Sequence, residues 1–431
     1  MGLLEELSGI YAGYEAPFLI TPEGSLDFVG LTRAQGLDDA DVLAGDVVAI
    51  IGDFGAESIR QLIELVDRGT IVVPLTPETR QDHAYFFDAA GVEVVIEGGK
   101  AQRIAPRREE PLLEQLRRDN RPGLVLFSTG TTGRPKAILH DFSLFLARYR
   151  TPRPTLRTLS FLLFDHIGGV NTLFHTLFNR GTLIVPSGRE PEKIAADIER
   201  HQVELLPTSP TFLRMLLMSG LLERQTLPSL RIVTYGTERM DPATLVRLCE
   251  QLPQVQFRQT YGMSELSILR VKSQSRESLW MKIGGEGIET RIQDGVLKIK
   301  AENRMLGYLN APSPFDAEGW YDTGDLVEAD GEFIRITGRV NDIINVGGIK
   351  VLPEEVENAA VGHPDIMRAK VRGVDNPITG QYIELTCEPR PEASPTRKEI
   401  RKYLEQVLPE AKRPHGIKVG RVAINHRFKQ S

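Results

Sequence analysis

The alternation of short β-branched runs with helix-length segments over residues 45–96 restricts this chain more than any other feature. Val47-Val48-Ala49-Ile50-Ile51 precedes a helical pattern over residues 58–66. Then come Ile71-Val72-Val73-Pro74-Leu75 and, later, Val92-Glu93-Val94-Val95-Ile96. Strands separated by amphipathic helices imply parallel βαβ units with right-handed crossovers, and hence an α/β, doubly wound architecture. At 431 residues the chain exceeds the size at which one core keeps growing, so two or more domains are expected.

Open parallel sheets take ligands in the loops beyond the carboxyl ends of their strands. One such loop stands out. The apolar run Gly123-Leu124-Val125-Leu126-Phe127 enters Ser128-Thr129-Gly130-Thr131-Thr132-Gly133, with Lys136 close behind. Gly130 and Gly133 allow main-chain N–H groups to converge on an anion, the four hydroxyls add donors, and Lys136 adds a positive charge. The set suits a polyphosphate. It is not a Walker motif, since Pro135 directly precedes the lysine, and no Rossmann glycine fingerprint occurs.

Bulk properties exclude other classes. A net charge of −6 argues against a partner bound through nucleic-acid phosphates. The two cysteines, Cys249 and Cys387, lie far apart, which speaks against a disulfide framework or a zinc site. No long uncharged run occurs, so no membrane insertion and a cytoplasmic location are expected.

Three further blocks follow in order: Thr260-Tyr261-Gly262-Met263-Ser264-Glu265, then Gly319-Trp320-Tyr321-Asp322-Thr323-Gly324-Asp325, then Thr337-Gly338-Arg339 running into Gly347-Gly348. With the hydroxyl loop they resemble the signature blocks of the adenylate-forming enzymes: acyl-CoA synthetases, peptide-synthetase adenylation domains and luciferases. The resemblance runs from about residue 45 to the end. It implies a large N-terminal domain, residues 1–340, of doubly wound sheets with a small β subdomain, and a small mobile α+β C-terminal domain, residues 341–431. Asn341 stands where the hinge is usually Asp or Lys.

The resemblance also implies roles. ATP would be held by Ser128, Thr129, Gly130, Thr131, Thr132, Gly133 and Lys136, with Tyr261 and Gly262 beside adenine, Ser264 at the α-phosphate, Asp325 at the ribose, and Arg339 at the ribose or a phosphate. Glu265 and Thr131 would hold Mg2+. A small carboxylic acid would lie among His166, Gly169, Thr208, Gly236, Thr237 and Gln259. Catalysis would rest on Lys429, His166, Glu265 and Lys136, with Arg427 as the alternative to Lys429 because Phe428 stands where Gly is usual. Asp165 matches the Asp that pairs with an ammonium in amino-acid-activating members. The His-Ile-Gly-Gly run beside it resembles the acyl-CoA branch instead. The implied reaction makes acyl-AMP and then a thioester of coenzyme A. A carrier-protein phosphopantetheine or an amine is the alternative acceptor, and a non-catalytic adenylate-binding protein the alternative of another class.

Overall fold

The computed structural model describes residues 2–34, 37, 42–128, 134–376, 380–391 and 393–424. Two seven-stranded sheets form the larger, N-terminal part. In the first, Val47–Ile51 pairs in parallel with Ile71–Leu75 and Val94–Glu97, and Ile71–Leu75 with Gly123–Phe127. The βαβ reading of residues 45–96 therefore holds, with helix Ala56–Asp67 as one crossover. Antiparallel Ala137–Asp141, Gly307–Tyr308 and Lys100–Arg103 complete this sheet.

The second sheet runs in the order Gln256–Gln259, Ile232–Tyr235, Leu205–Thr208, Arg157–Leu159, Thr182–Ile184 and Leu19–Thr21, all parallel, with Gly24–Leu26 antiparallel at the edge. The apolar run 159–164 reads as a strand in sequence, yet the ladder stops at Leu159. Beyond it Ser160 N bonds Ile184 O (2.8 Å), and Phe161 and Phe164 pack against Phe212 and Phe54. The run is apolar because it is buried between layers, a need that does not require strand pairing.

A six-stranded antiparallel sheet follows, containing Ile288–Gln293, Val296–Ala301, Tyr321–Asp330 and Phe333–Arg339. The Asp294-Gly295 turn has φ +53° and +76°, the left-handed pair that a two-residue hairpin requires. The small C-terminal part is a five-stranded sheet built on Ile366–Asn376 and Gly380–Pro389, covered by helices Pro353–Val361 and Arg397–Val407. Thr396 and Glu399 close a reciprocal capping box that fixes the start of the last helix. Among the described residues no helix is long and apolar enough to cross a membrane.

Candidate active site

Parallel strands deliver their following loops to one side of a sheet, and the chain uses that side. Ser128 follows Gly123–Phe127, Gly236 and Thr237 follow Ile232–Tyr235, and Thr260 to Glu265 follow Gln256–Gln259. These loops border one cavity of about 1060 Å³, which the antiparallel sheet closes with Asp325 and Arg339. Of the residues expected at the site, Ser128, His166, Thr208, Gly236, Thr237 and Gln259 line this cavity. So do Tyr261, Gly262, Ser264 and Glu265. Thr129, Gly130, Thr131, Thr132, Gly133, Arg427, Phe428 and Lys429 lie outside the described residues.

Asp325 stands at the centre of the charged wall. Strand register sets it opposite Arg339, whose Nε donates to Oδ1 at 2.7 Å, while the buried Tyr261 hydroxyl donates to Oδ2 at 2.5 Å. Its backbone N–H is tied to Thr323 Oγ1 at 3.0 Å, so the carboxylate is held at both ends. Burial and the adjacent carboxylate push the Tyr261 phenol far above its ordinary value, which keeps it a proton donor.

Around Lys136 the backbone is closed by two bonds, Ser128 N to Lys136 O and Lys136 N to Ser128 Oγ, each 3.0 Å. The Lys136 ammonium does not line the cavity; it lies 4.8 Å from the centroid of the Tyr308 ring. Tyr308 in turn donates to Glu265 Oε1 at 2.7 Å, so this loop and the Glu265 turn are coupled through one phenol. Nothing in the sequence marks Tyr308 for this role, because an aromatic near a Gly signals only packing.

Nor does the sequence mark His140. This buried ring donates from Nε2 to Ser264 O (2.6 Å), holding the segment that presents Ser264 and Glu265. Burial pushes its pKa down from 6.5 to about 4. The unfolded chain therefore takes up this proton near pH 6.5 and the folded chain only near 4. The contribution to stability is complete above 6.5 and is lost as pH falls towards 4. His140→Gln keeps a donor for Ser264 O and removes the titration. Its thermal midpoint, measured from pH 7 down to 5, is expected to fall less steeply than that of the natural protein.

His166 caps helix Ile167–Phe178, its Nδ1 accepting from Gly168 N at 3.0 Å. Gly169 does not face the cavity. A Cβ there would stand 1.9 Å from Leu163 O, so the residue permits the strand-to-helix turn that carries His166. Asp165 is buried and does not border the cavity.

The small domain supplies part of the wall: Glu354, Glu357, Asn358 and Lys370 line it, and Glu354 Oε1 pairs with Arg239 of the large part at 3.0 Å. Glu357 is raised above the usual carboxylate range, chiefly by burial. Arg214, on helix Pro210–Met218, faces the cavity and pairs with Asp241 at 3.2 Å, whereas Phe212, Leu216 and Leu217 of that helix form core as their spacing predicts. Of the basic residues Lys398, Arg401, Lys402 and Arg413, which suggest a patch in the sequence, Arg401 and Arg413 donate to backbone carbonyls.

The profile of the AMP-binding enzyme family matches residues 32–294, and that of the AMP-binding enzyme C-terminal domain matches residues 355–425. The chain belongs to the AMP-binding enzymes. This places it in the adenylate-forming superfamily, as the signature blocks imply. The chain is 26% identical over 317 residues to 3-[(3aS,4S,7aS)-7a-methyl-1,5-dioxo-octahydro-1H-inden-4-yl]propanoyl:CoA ligase of Rhodococcus jostii (strain RHA1), covering 68% of this chain and 60% of that one. It thus spans about three-fifths of the length of the first curated relatives it matches. It is also 28% identical over 429 residues to fatty acid–[acyl-carrier-protein] ligase MmaC of Mycobacterium marinum (strain ATCC BAA-535 / M), covering 83% and 79%. The fold superposes on the anthranilate CoA ligase AuaEII in complex with anthranoyl-AMP with a TM-score of 0.82 at 18% identity, covering 100% of this chain and 95% of that one. This AMP-binding enzyme therefore shares the layered α/β fold of the adenylating ligases, a large N-terminal part followed by a small C-terminal one.

Proposed function

We propose that this protein activates a carboxylic acid with ATP and passes the acyl group to the thiol of coenzyme A. The observation that carries the reading is the convergence of Ser128, His166, Tyr261, Ser264, Glu265 and Asp325, from well-separated segments, on one cavity. Asp325 is an acceptor-only group suited to ribose hydroxyls, with Arg339 beside it, and Tyr261 and Gly262 would flank the base. Ser264 would meet the α-phosphate, and the loop from Ser128 to Lys136 the β- and γ-phosphates.

The substrate carboxylate oxygen attacks the α-phosphorus, the bond to the bridging oxygen breaks, and pyrophosphate leaves. His166, at the start of its helix, orients the acid, and Lys429 stabilises charge at the reacting end. The thiol then attacks the acyl carbonyl and AMP departs. Residues 341–431 are the mobile domain in this scheme, turning about Asn341 between the two steps. Glu265 fits a magnesium ion, since one carboxylate oxygen is engaged by Tyr308 and magnesium commonly takes one or two carboxylates beside phosphate oxygens. Such an ion, with Thr131 as a second protein ligand, supplies charge neutralisation of the phosphates.

Lys429→Ala is expected to abolish acid-dependent ATP–pyrophosphate exchange while sparing thioester formation from a supplied acyl-adenylate. Full exchange in that variant would remove Lys429 from the mechanism. Exchange with a panel of acids tests the whole reading, and no pyrophosphate release with any acid would leave a non-catalytic adenylate-binding protein. The acceptor is decided by comparing thioester yield on free coenzyme A with that on carrier proteins. The extended match to a carrier-protein ligase makes the carrier the second reading.

A further inference from the structure

The acyl side of the cavity has its own chemistry. Along the second sheet, Thr158, Leu205, Pro207 and Thr234 turn towards the cavity. The alternate positions Leu159, Leu206, Val233 and Tyr235 belong to the core on the opposite face. Helix Ile167–Phe178 lies across that cavity-facing surface and is divided in the same way. Val170, Leu173, Phe174 and Leu177 are buried in the neighbouring core, while Gly168, Asn171, Thr172 and His175 line the cavity. Those four recur at i, i+3, i+4 and i+7, a single stripe on a helix whose other residues are buried.

The stripe is a row of donors at its far end. Tyr149 donates to Asn171 Oδ1 at 2.9 Å, which leaves the Asn171 amide nitrogen as the group offered to the cavity. Thr172 directs its hydroxyl to Gly168 O at 2.8 Å. The His175 ring has no hydrogen-bond partner among the described residues. Burial, with Arg153 and Arg148 nearby, holds its pKa down, so the neutral imidazole is the resident form. Arg148 is anchored to Ser267 Oγ at 2.7 Å and to Ile268 O, which adds positive charge behind the same wall. None of the residues that this helix or the strands Arg157–Leu159, Leu205–Thr208 and Ile232–Tyr235 present to the cavity is acidic. The helix also sets how far these donors lie from His166. From Gly168, beside His166, to His175 is about 10 Å along the axis, at about 1.5 Å per residue.

We propose that the acid activated here is short, reaching no further than these two helical turns, and carries at its far end an oxygen acceptor that Asn171 and His175 bind. A keto, phenolic or second carboxylate oxygen meets that description; a long alkyl chain does not. The inference rests on the adenylation reading and names its substrate class. A buried site built to hydrogen-bond a substrate oxygen discriminates against an analogue lacking it, because its donors are then left unpaired.

The test measures kcat/KM for pyrophosphate release with matched acids: hexanoate against 5-oxohexanoate, 4-methylbenzoate against 4-hydroxybenzoate, and hexadecanoate for length. The expected result is a preference of about 10- to 100-fold for the oxygen-bearing member of at least one pair, with hexadecanoate the poorest substrate. In Asn171→Leu and His175→Leu that ratio is expected to collapse towards one. Because the ratio in the natural protein already decides the matter, a variant that fails to fold does not obscure the result. A ratio near one, a preference for the alkyl members, or efficient use of hexadecanoate overturns the inference and leaves adenylation standing. Absence of pyrophosphate release with every acid overturns adenylation itself, and the inference with it.

Discussion

Asp325→Ala is expected to lower kcat/KM for ATP by on the order of 10²- to 10³-fold. Two effects add. The carboxylate now accepts from the Tyr261 hydroxyl and from Arg339 Nε, and it is only 4% exposed. Removing it leaves a buried phenol and a guanidinium facing the cavity without their acceptor, each lost charge-assisted bond being worth about 1.5–3 kcal/mol. It also removes the group that would accept from ribose. Asp325→Asn keeps one acceptor oxygen without the charge and should recover part of the loss. The check is ATP–pyrophosphate exchange at varied ATP, together with calorimetric titration of AMP. Near-normal AMP affinity in a folded Asp325→Ala protein would place ribose elsewhere.

Gly169→Ala carries the second large effect, on folding as much as on chemistry. The added Cβ would meet Leu163 O at 1.9 Å, Leu163 C at 2.7 Å and Leu162 O at 2.9 Å, all main-chain atoms that no side-chain rotation can move. The turn between Leu163 and helix Ile167–Phe178 must open, at about 3 kcal/mol or more, and His166 moves with it. A lower thermal midpoint and loss of exchange activity are expected together. Gly9→Ala is the contrast. Gly9 is an exposed position in helix Leu3–Ile10 with nothing within 4 Å of its Cβ, and alanine there should stabilise by about 0.5–1 kcal/mol. Equal stability of the Gly169→Ala and natural proteins in urea unfolding would refute the clash.

Much of the fold was legible because it depends on short-range patterns. The alternation over residues 45–96 specifies parallel strands with a crossover helix, Asp294-Gly295 specifies a hairpin, and the sequence from Thr396 to Glu399 specifies a helix start. The polar stripe Gly168, Asn171, Thr172, His175 was equally open to reading at a spacing of three and four. Spacing alone does not separate such a stripe facing a cavity from one facing solvent. Gly169 was assigned to the acyl surroundings by resemblance, whereas its place in the turn depends on a carbonyl six residues away whose direction no pattern encodes.

By itself the sequence determined the layered α/β class, the order of the signature blocks and the chemical types at the site, since periodicity and turn chemistry act over a few residues. Only the tertiary structure decided that Asp325 is shared between Tyr261 and Arg339, that Tyr308 couples Glu265 to the loop of Lys136, and that His140 holds Ser264 across 124 residues of chain. Those contacts arise from strand register and from the packing of one sheet against another. Neither is a property of any local stretch, because each partner's position is set by the burial of side chains far from it in the chain.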